Sequence, residues 1–202
     1  AFTKVRHEKP MISLNDAFSE EDMHDWIKRL ENYLDREVNP EFYCEHKIDG
    51  LSIELVYDNG LFTQGSTRGD GLVGEDVTQN LKTIEAIPLK LEIRNWKLEI
   101  PERLIVRGEV YLTKKQFEAI NKELEKKGEK TYANPRNLAA GSIRQLDPKI
   151  TASRKLNSYQ YAIVTAVGQK THEEEHELLK KWGFTTNPHT KKASSLKEVF
   201  EF

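Results

Sequence analysis

The chain has 202 residues, of which 32% are charged and 37% apolar, and its formal net charge is −2 at pH 7. That length allows one good-sized domain or two small ones around a real core, and the charge balance leaves nucleic-acid contact to local patches. No apolar run approaches the ~20 residues of a membrane span, and "AFTKVRHEKP" lacks the apolar region and cleavage site of a signal peptide.

A single cysteine, Cys44, excludes an internal disulfide and a thiolate-rich zinc site, and it fits a reducing cytoplasm. In chain order, "SEEDMHDWIKRLENYL" (19–34) predicts a helix. Ser19 and Asp22 resemble a capping pair, and Met23, Trp26, Ile27, Leu30 and Leu34 form a stripe expected to pack in the core. From Tyr43 to Arg68 the period changes to two. Glu45, Lys47 and Asp49 then share one strand face, with Cys44, His46 and Ile48 on the other. "LSIELVY" puts Leu51, Ile53, Leu55 and Tyr57 on one face, and "DNG" at 58–60 signals a hairpin. With no bulge at Gly50, the Lys47 face runs into this apolar face and turns the lysine toward the interior side of the sheet.

Further along, "LIVRGEVYL" (104–112) predicts a strand, and "TKKQFEAINKELEKKGE" (113–129) a helix with Thr113 as N-cap and Gly128 near its end. "NSYQYAIVTAV" (157–167) predicts another strand. "THEEEHELLKKWGF" (171–184) predicts a helix closed by Gly183, and "SSLKEVFEF" (194–202) a last one. There is no internal repeat, low-complexity tract or obvious linker. Strands and helices mix without strict βαβ alternation, which indicates an α+β fold.

Three stretches carry candidate chemistry besides Lys47, which by itself is either part of a solvated charge ladder or a reactive amine. In "GSTRGDGLVGEDVTQN" (65–80), Gly65, Gly69, Gly71 and Gly74 let backbone N–H groups approach a phosphate or ribose, with Arg68 adding a planar charged fork. The alternative is a tight loop with an exposed arginine, and the spacing matches neither the Walker A pattern nor G-x-G-x-x-G. Residues 131–155 hold Arg136, Arg144, Lys149, Arg154 and Lys155 against the one acid Asp147, which suits either phosphate-backbone contact or a solvated loop. "HEEEH" (172–176) matches the zinc-peptidase helix, with His172 and His176 as ligands and Glu173 as base. Against that, Leu179 and Trp182 stand where the extended pattern needs Gly and His, and the helix reads as one packed through its C-terminal half.

Taken together and in order, "HEKPMISLNDAFSEED", "EHKIDG", "STRGDG", "RGEV" and "ANPRNLAAGSIRQLDP" resemble the adenylation domain of the bacterial-type NAD+-dependent DNA ligases, over nearly the whole chain. The resemblance implies a mixed, mostly antiparallel sheet with helices packed outside, in the ATP-grasp-like nucleotidyltransferase fold of the covalent ligase superfamily. It implies that Lys47 attacks the α-phosphorus of NAD+ to form lysyl-AMP, with Asp49 as a second catalytic residue. Glu45 and Glu109 then hold the adenosine, Arg68 lies near the ribose, Ser13 and Leu14 lie against the nucleotide, and Tyr161 stacks on adenine. Arg136, Arg144 and Arg154 meet the nicked duplex.

An ordinary lysine amine is almost wholly protonated at neutral pH, and flanking carboxylates favour that ammonium. Activation therefore requires desolvation, other basic groups or a divalent cation, Mg²⁺ or Mn²⁺, and the carboxylates serve substrate or metal. The resemblance further implies a cytoplasmic monomer whose partners are NAD+ or AMP and nicked double-stranded DNA. Residues 1–202 are expected to be the adenylation domain, truncated at its C-terminal end before two downstream lysine-bearing motifs. The NMN-binding, OB, zinc-finger, helix-hairpin-helix and BRCT domains are expected to be absent, and with them the family's zinc.

Overall fold

The computed structural model describes residues 2–92 and 99–202. In chain order the elements are β1 (Lys4–Arg6), α1 (Glu20–Leu34), β2 (Phe42–Glu45), β3 (Leu51–Asp58), β4 (Leu61–Thr67), β5 (Val73–Glu75), α2 (Thr78–Leu81) and β6 (Arg103–Tyr111). They continue with α3 (Lys114–Lys126), α4 (Pro135–Ile143), α5 (Pro148–Ser153), β7 (Asn157–Ile163), α6 (His172–Lys181), β8 (Thr190–Ala193) and α7 (Leu196–Phe200). This is the α+β class, and every described strand pair is antiparallel. The chain divides into two compact units, Ala1–Met11 with Lys47–Asn187 and Ile12–His46 with Pro188–Phe202. No helix among the described residues is long and apolar enough to cross a membrane.

The first unit is built on a four-stranded sheet of order β4-β3-β6-β7, beside which β1 pairs with β5. The "DNG" turn joins β3 to β4 with both Asn59 (φ 50°) and Gly60 (φ 78°) left-handed, as a tight two-residue hairpin requires. Alternation gives the sheet two faces of different chemistry. Ile53, Leu55 and Tyr57 on β3 stand opposite Gly108, Val106 and Leu104 on β6, and all the large side chains among them are fully buried. Onto this face pack Leu81 of α2, Ile120 and Leu124 of α3, Leu138, Ala139 and Ile143 of α4, and Leu179 of α6. Each such leucine or isoleucine contributes about 1.5–3 kcal/mol by leaving water. The other face pairs Ser52 with Glu109 and Glu54 with Arg107, and it is this polar face that receives the site.

The second unit pairs β2 with β8 and carries α1 and α7. The Ser19 hydroxyl caps α1 by accepting the Asp22 N–H at 3.1 Å, while the Asp22 carboxylate accepts the Phe18 N–H at 2.8 Å. The apolar stripe of α1 departs from the expected core: no α1 residue is buried, and Trp26 and Leu34 are 41% and 39% exposed. Helical spacing shows that one face is apolar; it does not show what covers that face.

Two further departures concern the site. The strand expected from Tyr43 onward is broken, with β2 ending at Glu45 and β3 beginning at Leu51, and Lys47 between them is exposed. At Gly50 the backbone runs so close to β6 that an added Cβ would lie 2.1 Å from the Val110 carbonyl oxygen, a fit only glycine allows. Alternation cannot be carried across that break, and Lys47 does not point into the sheet interior. The basic stretch 131–155 is no loop either. It contains α4 and α5, each begun by a side-chain cap and a proline, Asn134–Pro135 and Asp147–Pro148.

Candidate active site

Glu109 organises one side of the site. Its carboxylate accepts the Gly50 N–H at 3.1 Å and the Ser52 hydroxyl at 2.7 Å, which ties the Lys47–Gly50 turn to β6. Burial pushes its carboxyl above the ordinary range; the Ser52 and Gly50 donors and the charges of Lys47 and Arg136 pull the other way without cancelling the rise. Lys47 is thus within electrostatic reach of a half-buried carboxylate. Asp49 is exposed and pairs with the Arg136 guanidinium at 3.7 Å.

The glycine-rich segment is a tight turn between β4 and β5. The Gly71 N–H returns to the Arg68 carbonyl at 3.0 Å, and the Asp70 carboxylate accepts the N–H groups of Val73 and Leu72. Those donors, Val73 first, hold Asp70 below the usual carboxylate range. Gly69 (φ 58°) has a conformation that disfavours a side chain, and a Cβ there would meet the Val73 carbonyl oxygen at 1.9 Å. The turn seats Arg68, whose N–H binds the Ser52 carbonyl at 3.0 Å and whose Nε binds the Met11 carbonyl at 3.1 Å.

Beside Arg68 lies an open cleft of about 380 Å³, whose lining includes Lys4, Ser52, Thr67, Arg68, Arg136 and Arg144. The last two come from α4. With Leu138, Ala139 and Ile143 buried, Arg136, Ala140 and Arg144 recur every fourth residue along the cleft side. Arg144 pairs with Glu75 at 2.8 Å and Lys4 reaches the same carboxylate at 3.3 Å. Burial works to raise the Glu75 pKa, but Lys4 and Arg144 together hold it below its ordinary value. Arg154 is the half-buried C-cap of α5 and is not among the cleft-lining residues.

Tyr161 owes its direction to a β-bulge. Arg107 stands opposite Ala162 and Gly108 opposite Gln160, so Tyr161 is the extra residue of β7. Burial, then the Glu109 charge, raises its phenol; Ser52, Arg107 and Arg68 oppose the rise, which puts the ring in the company of that polar face. Ser13 and Leu14, both exposed, and Glu45, half-buried at the end of β2, belong to the second unit.

Sequence reasoning missed a buried group beside Arg68. Glu54, 3% exposed, accepts from Arg107 at 2.9 Å and lies 3.0 Å from His7 Nδ1. Glu54 and Arg107 share one sheet face with Glu109, but nothing local in the sequence marks His7 as their partner. The "HEEEH" helix, by contrast, uses its ionisable groups for docking. His172 Nδ1 lies 2.7 Å from Glu175, whose carboxylate also accepts the Ile163 N–H of β7, while His176, Leu179 and Trp182 are buried.

Over residues 1–202 the chain matches the family described as NAD-dependent DNA ligase adenylation domain, α6 included. It is 47% identical over its whole length to the DNA ligase of Coprothermobacter proteolyticus and 51% identical over 99% of its length to that of Acetivibrio thermocellus. It is likewise 46% identical over its whole length to the DNA ligase of Ligilactobacillus salivarius. The chain spans about 30% of the length of these relatives (30%, 29% and 29%). The peptidase reading of α6 is therefore not carried further: this chain belongs to the NAD-dependent DNA ligase adenylation domain family.

Proposed function

We propose that the chain performs the adenylation chemistry of an NAD+-dependent DNA ligase. In the first step the Lys47 amine, having released a proton to solvent, attacks the α-phosphorus of NAD+; an N–P bond forms, the pyrophosphate P–O bond breaks, and NMN leaves. AMP then passes to the 5′-phosphate of a nick, and the 3′-hydroxyl displaces it to seal the strand. Glu45 and Glu109 hold adenosine, Arg68 lies near the ribose, Ser13 and Leu14 lie against the nucleotide, Tyr161 stacks on adenine, and Asp49 assists at Lys47. Arg136, Arg144 and Arg154 take the phosphate backbone of nicked duplex DNA.

The observation that carries this reading is the setting of the Lys47–Gly50 turn, tied to Glu109 on one side and, through Asp49–Arg136, adjoining a cleft lined by Arg68, Arg136 and Arg144. Guanidinium groups on that cleft supply the charge that a phosphorylated substrate needs. The fold that suits it is the ATP-grasp-like nucleotidyltransferase fold. Residues 1–202 are read as the adenylation domain; NMN-binding, OB, zinc-finger, helix-hairpin-helix and BRCT domains are not among them. The reading extends to a cytoplasmic monomer.

Mg²⁺ or Mn²⁺, oxygen-seeking cations that travel with phosphates, belong to the same reading as companions of the substrate. Beside Lys47, Asp49 pairs with Arg136 and both oxygens of Glu109 accept hydrogen bonds, so these two carboxylates form no ready cage for one.

The test is incubation with NAD+ and, separately, with pre-adenylated nicked DNA, followed by denaturing mass analysis. One adenylyl group on Lys47 is the expected product. An adduct on another lysine, or nucleotide binding with no adduct in either arm, would overturn it.

A further inference from the structure

A buried ionisable group surrounds His7 in the first unit. The ring is 6% exposed, with Nδ1 3.0 Å from Glu54 Oε1 and Nε2 3.0 Å from the Arg68 carbonyl oxygen. A carbonyl only accepts, and so does an ionised carboxylate. The other Glu54 oxygen accepts from the Arg107 guanidinium, 2.9 Å away. A neutral imidazole would have to aim a lone pair at one of these acceptors in a site closed to water. Each ring nitrogen thus faces an acceptor.

The same group holds a length of backbone. Arg107 donates to the carbonyls of Lys9 and Pro10, and Arg68 Nε donates to that of Met11. The His7 N–H binds the Leu72 carbonyl at 2.9 Å, and the Met11 N–H binds that of Gly71 at 2.8 Å. Residues 7–11 thus form a strap joined along one edge to the Arg68–Leu72 turn and along the other to β6.

We propose that His7 is a positioning residue which works as an imidazolium: its two N–H groups lock the Arg68 turn to Glu54, so that Arg68 meets the nucleotide only while His7 is charged. This rests on the adenylation reading for what Arg68 binds, though not for the charge on His7. The charged groups facing the ring are Glu54 from β3, Arg107 from β6, and Arg68 and Asp70 from the turn. With His7 charged, three cations (His7, Arg68 and Arg107) stand against two carboxylates (Glu54 and Asp70), which leaves a net positive group beside the cleft. Loss of one ring proton removes either the bond to Glu54 or the bond to the Arg68 carbonyl, and the lock between them opens.

The experiment combines nitrogen NMR of the His7 ring, hydrogen exchange at Arg68 Nε–H, and calorimetric binding of AMP, each across a pH series. At neutral pH both ring nitrogens should be protonated and Arg68 Nε–H protected. AMP affinity should fall about tenfold, the worth of one charge-assisted contact, as His7 deprotonates. His7→Gln, which donates from one side only and presents an acceptor on the other, should bind AMP about tenfold more weakly at acid pH, show a flat pH profile and exchange Arg68 Nε–H faster. If it does not fold, Glu54→Gln serves: His7 should then lose its second proton at lower pH. A ring carrying one proton at neutral pH, or a His7→Gln variant that keeps the pH dependence and the Arg68 protection, would overturn the proposal. Failure of AMP to bind at all would count against the adenylation reading, while the ring and exchange measurements would still decide the role of His7.

Discussion

Ser52 and Glu109 stand directly opposite one another on β3 and β6, and the serine hydroxyl donates to the carboxylate at 2.7 Å. Even so, burial keeps the Glu109 carboxyl raised. An acid whose folded pKa exceeds its unfolded one favours the fold below the ordinary glutamate value of about 4.3, and that contribution is lost as pH rises through the folded pKa. Glu109→Gln should therefore gain thermal stability relative to the parent as pH rises across that window, while binding AMP more weakly by about 1–3 kcal/mol. Melting curves over a pH series check the first part, and a difference in Tm that stays constant with pH would contradict it.

Lys47→Arg should form no adenylyl adduct, since a guanidinium stays protonated and offers no lone pair to phosphorus. Lys47 is exposed, so the substitution should shift stability by no more than about 0.5 kcal/mol. Mass analysis after NAD+ treatment and a denaturant titration together separate lost chemistry from lost fold.

Arg136 and Arg144 are 62% and 58% exposed at their side chains, and their ion pairs with Asp49 and Glu75 contribute little at such exposure. Removing both should therefore spare the fold. If they neutralise DNA phosphates, the Arg136→Ala, Arg144→Ala double variant should flatten the slope of log K against log[salt] by roughly two units, at about 0.9 per contact. Binding to nicked duplexes of different sequence, titrated over a salt range, gives that slope; an unchanged value would return both residues to a merely solvated helix face.

Gly74→Ala tests how the Arg68 turn is seated. A Cβ at Gly74 would lie 1.7 Å from the Thr67 carbonyl oxygen and 3.3 Å from His7 Nε2. The β4–β5 approach must open, at a cost of about 1–3 kcal/mol by analogy with overpacking. Denaturant unfolding should show the loss, and AMP affinity should fall with it because Arg68 moves.

Two apolar residues should behave oppositely. Leu138→Ala empties a fully buried position of α4 and should cost about 2–5 kcal/mol. Trp26→Ser, on the open face of α1 at 41% exposure, should cost less than about 1 kcal/mol. Parallel denaturant titrations would decide it; a tryptophan loss as large as the leucine loss would mean that α1 is packed after all.

Local rules account for what the sequence determined by itself. Both central residues of the "DNG" hairpin favour left-handed backbone, Thr113 and Gln116 close a reciprocal cap on α3, and period-two alternation placed Ile53, Leu55 and Tyr57 in the core. These signals lie within a few residues of what they specify, and so does the order of the family segments around Lys47. What only the tertiary structure decided depends on groups far apart in the chain. Alternation failed between Glu45 and Leu51, where the strand is interrupted and Gly50 packs against the backbone of Val110 on another strand. The α1 stripe was apolar without being buried, since a hydrophobic face specifies no partner. Tyr161 took its direction from a bulge that is visible only against β6. His7 and Glu54 meet across 47 residues, and Glu54 and Arg107 across 53. Burial of charge is favourable only when all the partners arrive together, and their arrival is a property of the fold that no single segment encodes.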